Sequence, residues 1–170
     1  MIIDADESAR VVVARGTQGL AEIAARWPQV ITAVGDLDRP ALAKIVFDDP
    51  AARETLNTIV HPRVHALGRA IEASAGEHQI VVHMIPLLFE TGFDQTCAAT
   101  VVVVAPHEAR MARVMARDGA DEEGVRKRMA AQIDPEDAMR RATFVIQNNG
   151  DFVELRRSTR VAYERLAGQA

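Results

Sequence analysis

Thr100-Val101-Val102-Val103-Val104, with Pro106 two residues beyond, is the stretch that decides the fold. A short, continuous apolar run rich in β-branched residues predicts a strand buried on both faces of a parallel sheet. Ile80-Val81-Val82-His83-Met84-Ile85 reads the same way, and Phe144-Val145-Ile146 and Ile2-Ile3 are shorter candidates. Between these runs the apolar period changes to three and four, as at Leu20, Ile23 and Trp27. Helices are predicted there and over Ala41 to Phe47, Ala51 to Val60, Pro62 to Ile71, Pro106 to Arg117, Glu122 to Gln132 and Phe152 to Leu166. Asp38 before Arg39-Pro40, and Asp134 before Pro135, read as N-caps followed by a first-turn proline whose missing N–H costs nothing. Gly119, after Arg117-Asp118, suits a helix C-terminal stop. Strands alternating with helices predict an α/β fold with a parallel sheet, whose ligands bind at the carboxyl ends of the strands.

Composition narrows the classes. The chain has 170 residues and a formal net charge of −4, and 48% of its residues are apolar, which supports one compact domain and excludes a disordered chain. The longest nearly uncharged apolar stretch, Cys97 to Pro106, is about half of the ~20 residues a membrane helix needs. The single cysteine, Cys97, makes no internal disulfide, and Met-Ile-Ile-Asp-Ala-Asp lacks the pattern of a signal peptide, so a cytoplasmic location is expected. Mild acidity argues against a nucleic-acid surface. Of the 20 basic residues only Lys44 and Lys127 are lysine. The rest are arginine, which reflects either a composition bias or forks for phosphate and carboxylate.

The strand ends hold the candidate chemistry. Asp4 and Asp6 follow Ile2-Ile3 on a strand-to-helix turn, where two carboxylates can share general-base and metal-orienting work, or one can simply cap the helix. Pro86-Leu87-Leu88-Phe89-Glu90 follows the second strand as either core or the lining of an apolar ligand site. His61-Pro62-Arg63 sits at a helix junction, and His61, His65 and His83 lack metal-ligand spacing. After the valine strand, Arg110, Arg113 and Arg117 share a helix face, with Arg126 and Arg128 beyond Gly119. They form either a solvated face or a positive lid over polyphosphate. Gln147-Asn148-Asn149-Gly150 is a turn whose amides can also read the edge of a base.

Together these residues resemble the dephospho-coenzyme A kinase family over nearly the whole chain. The matching segments run in family order. They begin with Ile3-Asp4-Ala5-Asp6 and Ala9-Arg10, Gly16-Thr17-Gln18-Gly19-Leu20, Leu37-Asp38-Arg39 with Leu42 and Phe47, and Ile59-Val60-His61-Pro62. Pro86-Leu87-Leu88-Phe89-Glu90, Arg113 with Met115-Ala116-Arg117-Asp118-Gly119, Arg128-Met129-Ala130-Ala131-Gln132 and Val145-Ile146-Gln147-Asn148-Asn149-Gly150 complete them.

The resemblance implies a P-loop kinase-like three-layer α/β fold, and a single domain over residues 1–170 with a helical acceptor-binding region at about 16–75 and a lid region at about 110–142. It implies transfer of the γ-phosphoryl of ATP, with Mg²⁺, to the ribose 3′-hydroxyl of dephospho-coenzyme A, with no nucleic-acid or membrane partner. Asp6 falls where the family places its catalytic base, and Asp4 and Arg10 lie on the acceptor side. Thr17, Leu20, His61, Arg63, Pro86, Leu87 and Leu88 would bind or border the acceptor. Arg113, Arg117 and Arg128 would belong to the ATP lid, the first and last with catalytic roles, and Asn148 and Gly150 would lie near the adenine.

Two places depart from the family pattern. The family opens with a strand, a G-x-x-x-x-G-K-[ST] loop and a helix before the segment matched by Ile3 to Asp6, whereas the first glycine here is Gly16 and neither lysine follows a glycine. The resemblance therefore implies a member lacking its first strand–loop–helix, about 30 residues for a unit of that size. Met84 stands where many relatives carry an aspartate. Two other readings stay beside the kinase: a non-catalytic coenzyme A- or nucleotide-binding remnant, and a kinase of similar architecture for another nucleoside or nucleotide.

Overall fold

A computed structural model describes residues 1–130 and 132–168. The chain divides into two units, Met1–Pro86 and the part from Leu87 onward. Each is an α/β unit with one parallel strand pair, as the runs of Ile and Val predicted.

In the first unit, β1 (Ile2–Asp4) pairs in parallel with β2 (Val82–Met84) in the register Ile2 to Val82, Ile3 to His83 and Asp4 to Met84. Four helices separate the strands: α1 (Ala5–Val11), α2 (Gln18–Arg26), α3 (Arg39–Asp48) and α4 (Pro50–Glu72). Their apolar faces enclose Val12, Val13, Ile23, Trp27, Val30, Leu42, Ala52 and Ile59. Ile23 and Val30 are fully enclosed, each worth about 1.5–3 kcal/mol of transfer free energy. Gly19, buried in the first turn of α2, lies so close to the Val12 carbonyl that an added Cβ would collide with it.

The structure corrects the expected break at His61-Pro62. Ala51 to Val60 and Pro62 to Ile71 belong to one continuous helix, with Pro62 inside it. Pro62 has no N–H for the Thr58 carbonyl, and its ring crowds that carbonyl. Burial on both sides outweighs the local penalty: Ile59 and Gly68 are buried, and Val60, Val64 and Leu67 pack against the core. The Arg63 guanidinium also donates to the Ile59 carbonyl at 2.6 Å.

In the second unit, β3 (Val101–Val104) pairs in parallel with β4 (Phe144–Gln147). A reciprocal clasp precedes both strands. The Thr100 N–H donates to Thr143 Oγ1 and the Thr143 N–H donates to Thr100 Oγ1, each at 3.0 Å. Between the strands run α5 (His107–Asp118), α6 (Glu122–Ala130) and α7 (Pro135–Arg141), and α8 (Phe152–Ala167) follows β4. The predicted punctuation holds: Asp38 and Asp134 cap α3 and α7, and Gly119 ends α5 at φ 62°. Of the helix predicted to run from Glu122 to Gln132, α6 is described to Ala130; Ala131 lies outside the described residues, and Gln132 is not helical.

Burial on both sheet faces is the second expectation corrected. Side chains alternate along these strands, and Ile2, Val82 and Met84 in one pair and Val101, Val103 and Val145 in the other are exposed. No helix among the described residues is long and apolar enough to cross a membrane.

Candidate functional site

The first unit presents its chemistry at the carboxyl end of β1. Asp4 is the N-cap of α1, its Oδ1 accepting the amide N–H of Asp6 at 2.8 Å and of Glu7 at 3.2 Å. Of the two readings of this carboxylate pair, capping is what Asp4 does here. That cap fixes the first turn of α1, so exposed Asp6 is carried on an anchored backbone, with Arg10 one turn further along the same face. Asp4, Asp6, Glu7, Arg10, Val11 and Ala14 line an open hollow of about 590 Å³.

The other acceptor candidates of this unit have structural partners. Thr17 caps α2, accepting the Leu20 N–H at 3.2 Å and donating to the Ala14 carbonyl at 2.7 Å. Leu20 is buried. Arg63 bridges α4 to α2 through Glu22 Oε1 at 2.6 Å. His61 is exposed on α4. Pro86, also exposed, is the last residue of the unit.

The second unit opens on the rest of that apolar motif. Thr91 Oγ1 donates to the Leu87 and Leu88 carbonyls at 2.8 and 3.2 Å, closing the segment into a compact turn. Phe89 is its buried anchor, Leu88 is half-buried and Leu87 is exposed. So the motif divides: Phe89 is core, and the leucines stand at the surface.

The arginine row is more constrained than its spacing predicts. Arg117 grips Asp118 with two hydrogen bonds at 2.7 and 3.0 Å, and Arg128 of α6 reaches the same carboxylate at 2.8 Å. The Arg117 hydrogen bonds, helped by Arg128, hold the Asp118 carboxyl at about 2, while Asp118 raises the Arg117 guanidinium. Arg126 pairs with Glu122 and Lys127 with Glu123 on the exposed side of α6. Arg110 donates to Gln132 Oε1 at 3.1 Å. Arg113 makes only a long contact, 3.5 Å, to the Asn148 carbonyl. The expected positive region is therefore partly neutralised by carboxylates interleaved in the same two helices.

Asn148 continues the β4 ladder, its N–H donating to the Val104 carbonyl at 2.7 Å. Gly150 faces Glu154 so closely that a side chain there would collide with it. In the sequence Asp118 and Glu90 stand out only as members of their motifs. Their partners are distant along the chain or placed by a helix end, and an acidic residue inside an arginine-rich motif was the available signal.

Among the described residues no three of His, Cys, Asp and Glu converge as metal ligands. With Asp4 engaged as a cap, these residues form no Mg²⁺ cage of their own.

The comparisons with known proteins agree with one another. The dephospho-CoA kinase family model matches residues 1–154. Dephospho-CoA kinase of Moorella thermoacetica is 43% identical over 170 residues, covering 98% of this chain and 80% of that protein. The enzyme of Deinococcus radiodurans is 45% identical over 152 residues, covering 88% and 72%. A crystal structure from Thermus thermophilus superposes with a TM-score of 0.83 at 36% identity, covering 97% of this chain and 84% of that one. Dephospho-CoA kinase from Campylobacter jejuni shares the fold at a TM-score of 0.70 and 24% identity, covering 99% and 85%. With the carboxylates after β1, the leucine turn after β2 and the arginines after β3 all in family order, the chain belongs to the dephospho-CoA kinase family.

Proposed function

We propose that the chain transfers the γ-phosphoryl group of ATP to the ribose 3′-hydroxyl of dephospho-coenzyme A, releasing ADP and coenzyme A. The observation that carries this reading is the hollow beside α1, where Asp6 and Arg10 stand on one helix face behind the Asp4 cap. An attacking hydroxyl must lose its proton, and a carboxylate within hydrogen-bond reach contributes typically 10²–10⁴-fold to such a step. Asp6 is that carboxylate. Arg10 attracts the acceptor's phosphate charge and keeps the hydroxyl facing Asp6. Leu87 and Leu88, and exposed His61 of α4, are further acceptor residues in this reading, on the family resemblance.

Arg113, Arg117 and Arg128 neutralise charge developing on the transferred group, where one well-placed donor is worth about 10²–10³ in rate. Asn148 and Gly150 sit by the adenine. Mg²⁺, bound together with the nucleotide, would supply charge neutralisation at its phosphates.

A second reading is favoured by one observation: Arg117 and Arg128 are both already held by the Asp118 carboxylate. In this reading the chain binds dephospho-coenzyme A without phosphorylating it. Titration calorimetry with dephospho-coenzyme A and with ATP–Mg²⁺ separates the two. Binding of both, with formation of coenzyme A, supports the kinase. Acceptor binding with no ATP heat supports the second reading, and binding of neither overturns both.

A further inference from the structure

The turn that follows β2 is tied to the lid region at two points. The Glu90 Oε1 accepts the Ile133 N–H at 2.7 Å, across 43 residues of sequence. Asp94 Oδ2 accepts from Arg141 Nη2 at 2.8 Å, and the same guanidinium lies 4.5 Å above the Phe89 ring. Asp94 is mostly buried, and its other oxygen, Oδ1, is enclosed with no hydrogen-bond partner among the described residues. Such a carboxylate is costly to leave unpaired, so the Arg141 link fixes Asp94, three residues beyond Thr91, firmly to α7.

Glu90 differs from Asp94 in being exposed, and what it holds is backbone between α6 and α7 rather than a helix side chain. The residue beside its partner, Gln132, accepts from Arg110 of α5. Arg110 lies one turn before Arg113 and two turns before Arg117. A continuous hydrogen-bonded route therefore runs from the Leu87–Thr91 turn through Glu90, Ile133, Gln132 and Arg110 into the helix that carries the phosphate-directed arginines. Leu87 and Leu88 stand at the other end of that route, with both carbonyls locked by Thr91. The leucines and Glu90 lie in one closed turn, so a ligand seated on the leucines acts on the turn that carries Glu90.

We propose that Glu90 is a positioning residue coupling acceptor occupancy at Leu87 and Leu88 to the placement of the lid arginines, by holding the backbone at Ile133. This rests on the functional reading above, in which the leucines border the acceptor and the arginines meet the nucleotide. Coupling of this kind is reciprocal, each ligand tightening the other by the same factor, typically about 5- to 150-fold.

Two measurements test it. In the unaltered chain, hydrogen exchange at the Ile133 amide slows at least about 5-fold when dephospho-coenzyme A alone is added. Unchanged exchange in the presence of bound acceptor overturns the coupling, whatever ATP does. Calorimetry then compares each ligand alone and with the other saturating, in the unaltered chain, Glu90→Ala and Glu90→Gln. Mutual tightening of about 5-fold or more should fall below about 2-fold in Glu90→Ala, with each separate Kd little changed. It should persist in Glu90→Gln, whose amide oxygen still accepts the Ile133 N–H. Equal tightening in Glu90→Ala, or its loss in Glu90→Gln, overturns the role of Glu90. A chain that binds neither ligand overturns the functional reading, and the coupling with it. One that binds both without tightening overturns the coupling alone.

Discussion

Replacing Pro62 with alanine should make the first unit more stable. Pro62 lies thirteen positions into the 23-residue helix α4, well beyond the first turn where a proline is tolerated. In a helix interior proline is about 3 kcal/mol worse than alanine, a difference that already contains the unfolded-chain entropy. Part of that cost is avoided here: Thr58 is exposed, so water serves the carbonyl that Pro62 leaves unbonded. The remaining crowding of the ring against that carbonyl is relieved fully by alanine, which also restores the bond. A net gain of about 2 kcal/mol follows. Trp27, the only tryptophan, reports on it, because it packs in the same cluster as Ile59 and Ala52 of α4. Urea titration followed by Trp27 fluorescence should move its midpoint up by about 1–2 M, given the low slope of a unit of this size. Thermal unfolding should rise by roughly 8–16 °C at 4–8 °C per kcal/mol. An unchanged or lower midpoint would refute the claim that burial of Ile59, Val60 and Val64 carries α4 through an unfavourable residue.

Three further predictions use the same probes. Asp4→Ala should cost about 1 kcal/mol of stability while Asp4→Asn, an equally good cap, costs less than about 0.5; equal losses would mean that the charge and not the cap matters. Gly19→Ala drives a methyl against the Val12 carbonyl and should lower stability, read by Trp27 fluorescence, by about 1–3 kcal/mol. Asp118 has a folded-state pKa of about 2, below its ordinary value, so its pairing with Arg117 and Arg128 is present above about pH 4. That contribution is lost as pH falls from there through 2. Carboxyl NMR should place the Asp118 midpoint near 2 in the unaltered chain and distinctly higher in Arg117→Ala; an unmoved midpoint would exclude Arg117 as its principal partner.

The fold was legible where the signal is local. The valine run, the Asp38 and Asp134 caps and the Gly119 stop each depend on a few neighbouring residues, and each stands as read. At Pro62 the local penalty points to a helix break, but tertiary burial on both sides overrides it. The valine strand was misread on burial for the reverse reason, since composition cannot say what covers a face. Along α5 and α6, spacing shows that Arg113 and Arg117 share a helix face, but not that Asp118 turns back to hold Arg117 and Arg128 together. Nor could it show Glu90 against Ile133, because contacts across 43 residues leave no periodic trace.

The same distinction sorts the candidate site. Asp4, Thr17 and Arg63 hold backbone or a neighbouring helix with their polar atoms, and Leu20 is buried core. Their replacement must cost stability whether or not they meet a ligand. Asp6 and Arg10 face the hollow with no side-chain partner among the described residues, so the fold gains from their charge only what the two ends of α1 give a first-turn acid and a last-turn base. Such residues are expected to report function without disturbing structure. Asp6→Asn should therefore leave the Trp27 unfolding midpoint within about 0.5 kcal/mol and dephospho-coenzyme A affinity within a few-fold, while turnover falls by about 10²–10⁴. Arg10→Ala should spare stability equally but weaken acceptor binding, by about 10-fold for a charge-assisted contact of 1.5 kcal/mol or so. If instead Asp6→Asn destabilises the unit as much as Asp4→Ala does, the carboxylate is part of the helix start. The hydroxyl's proton must then go elsewhere.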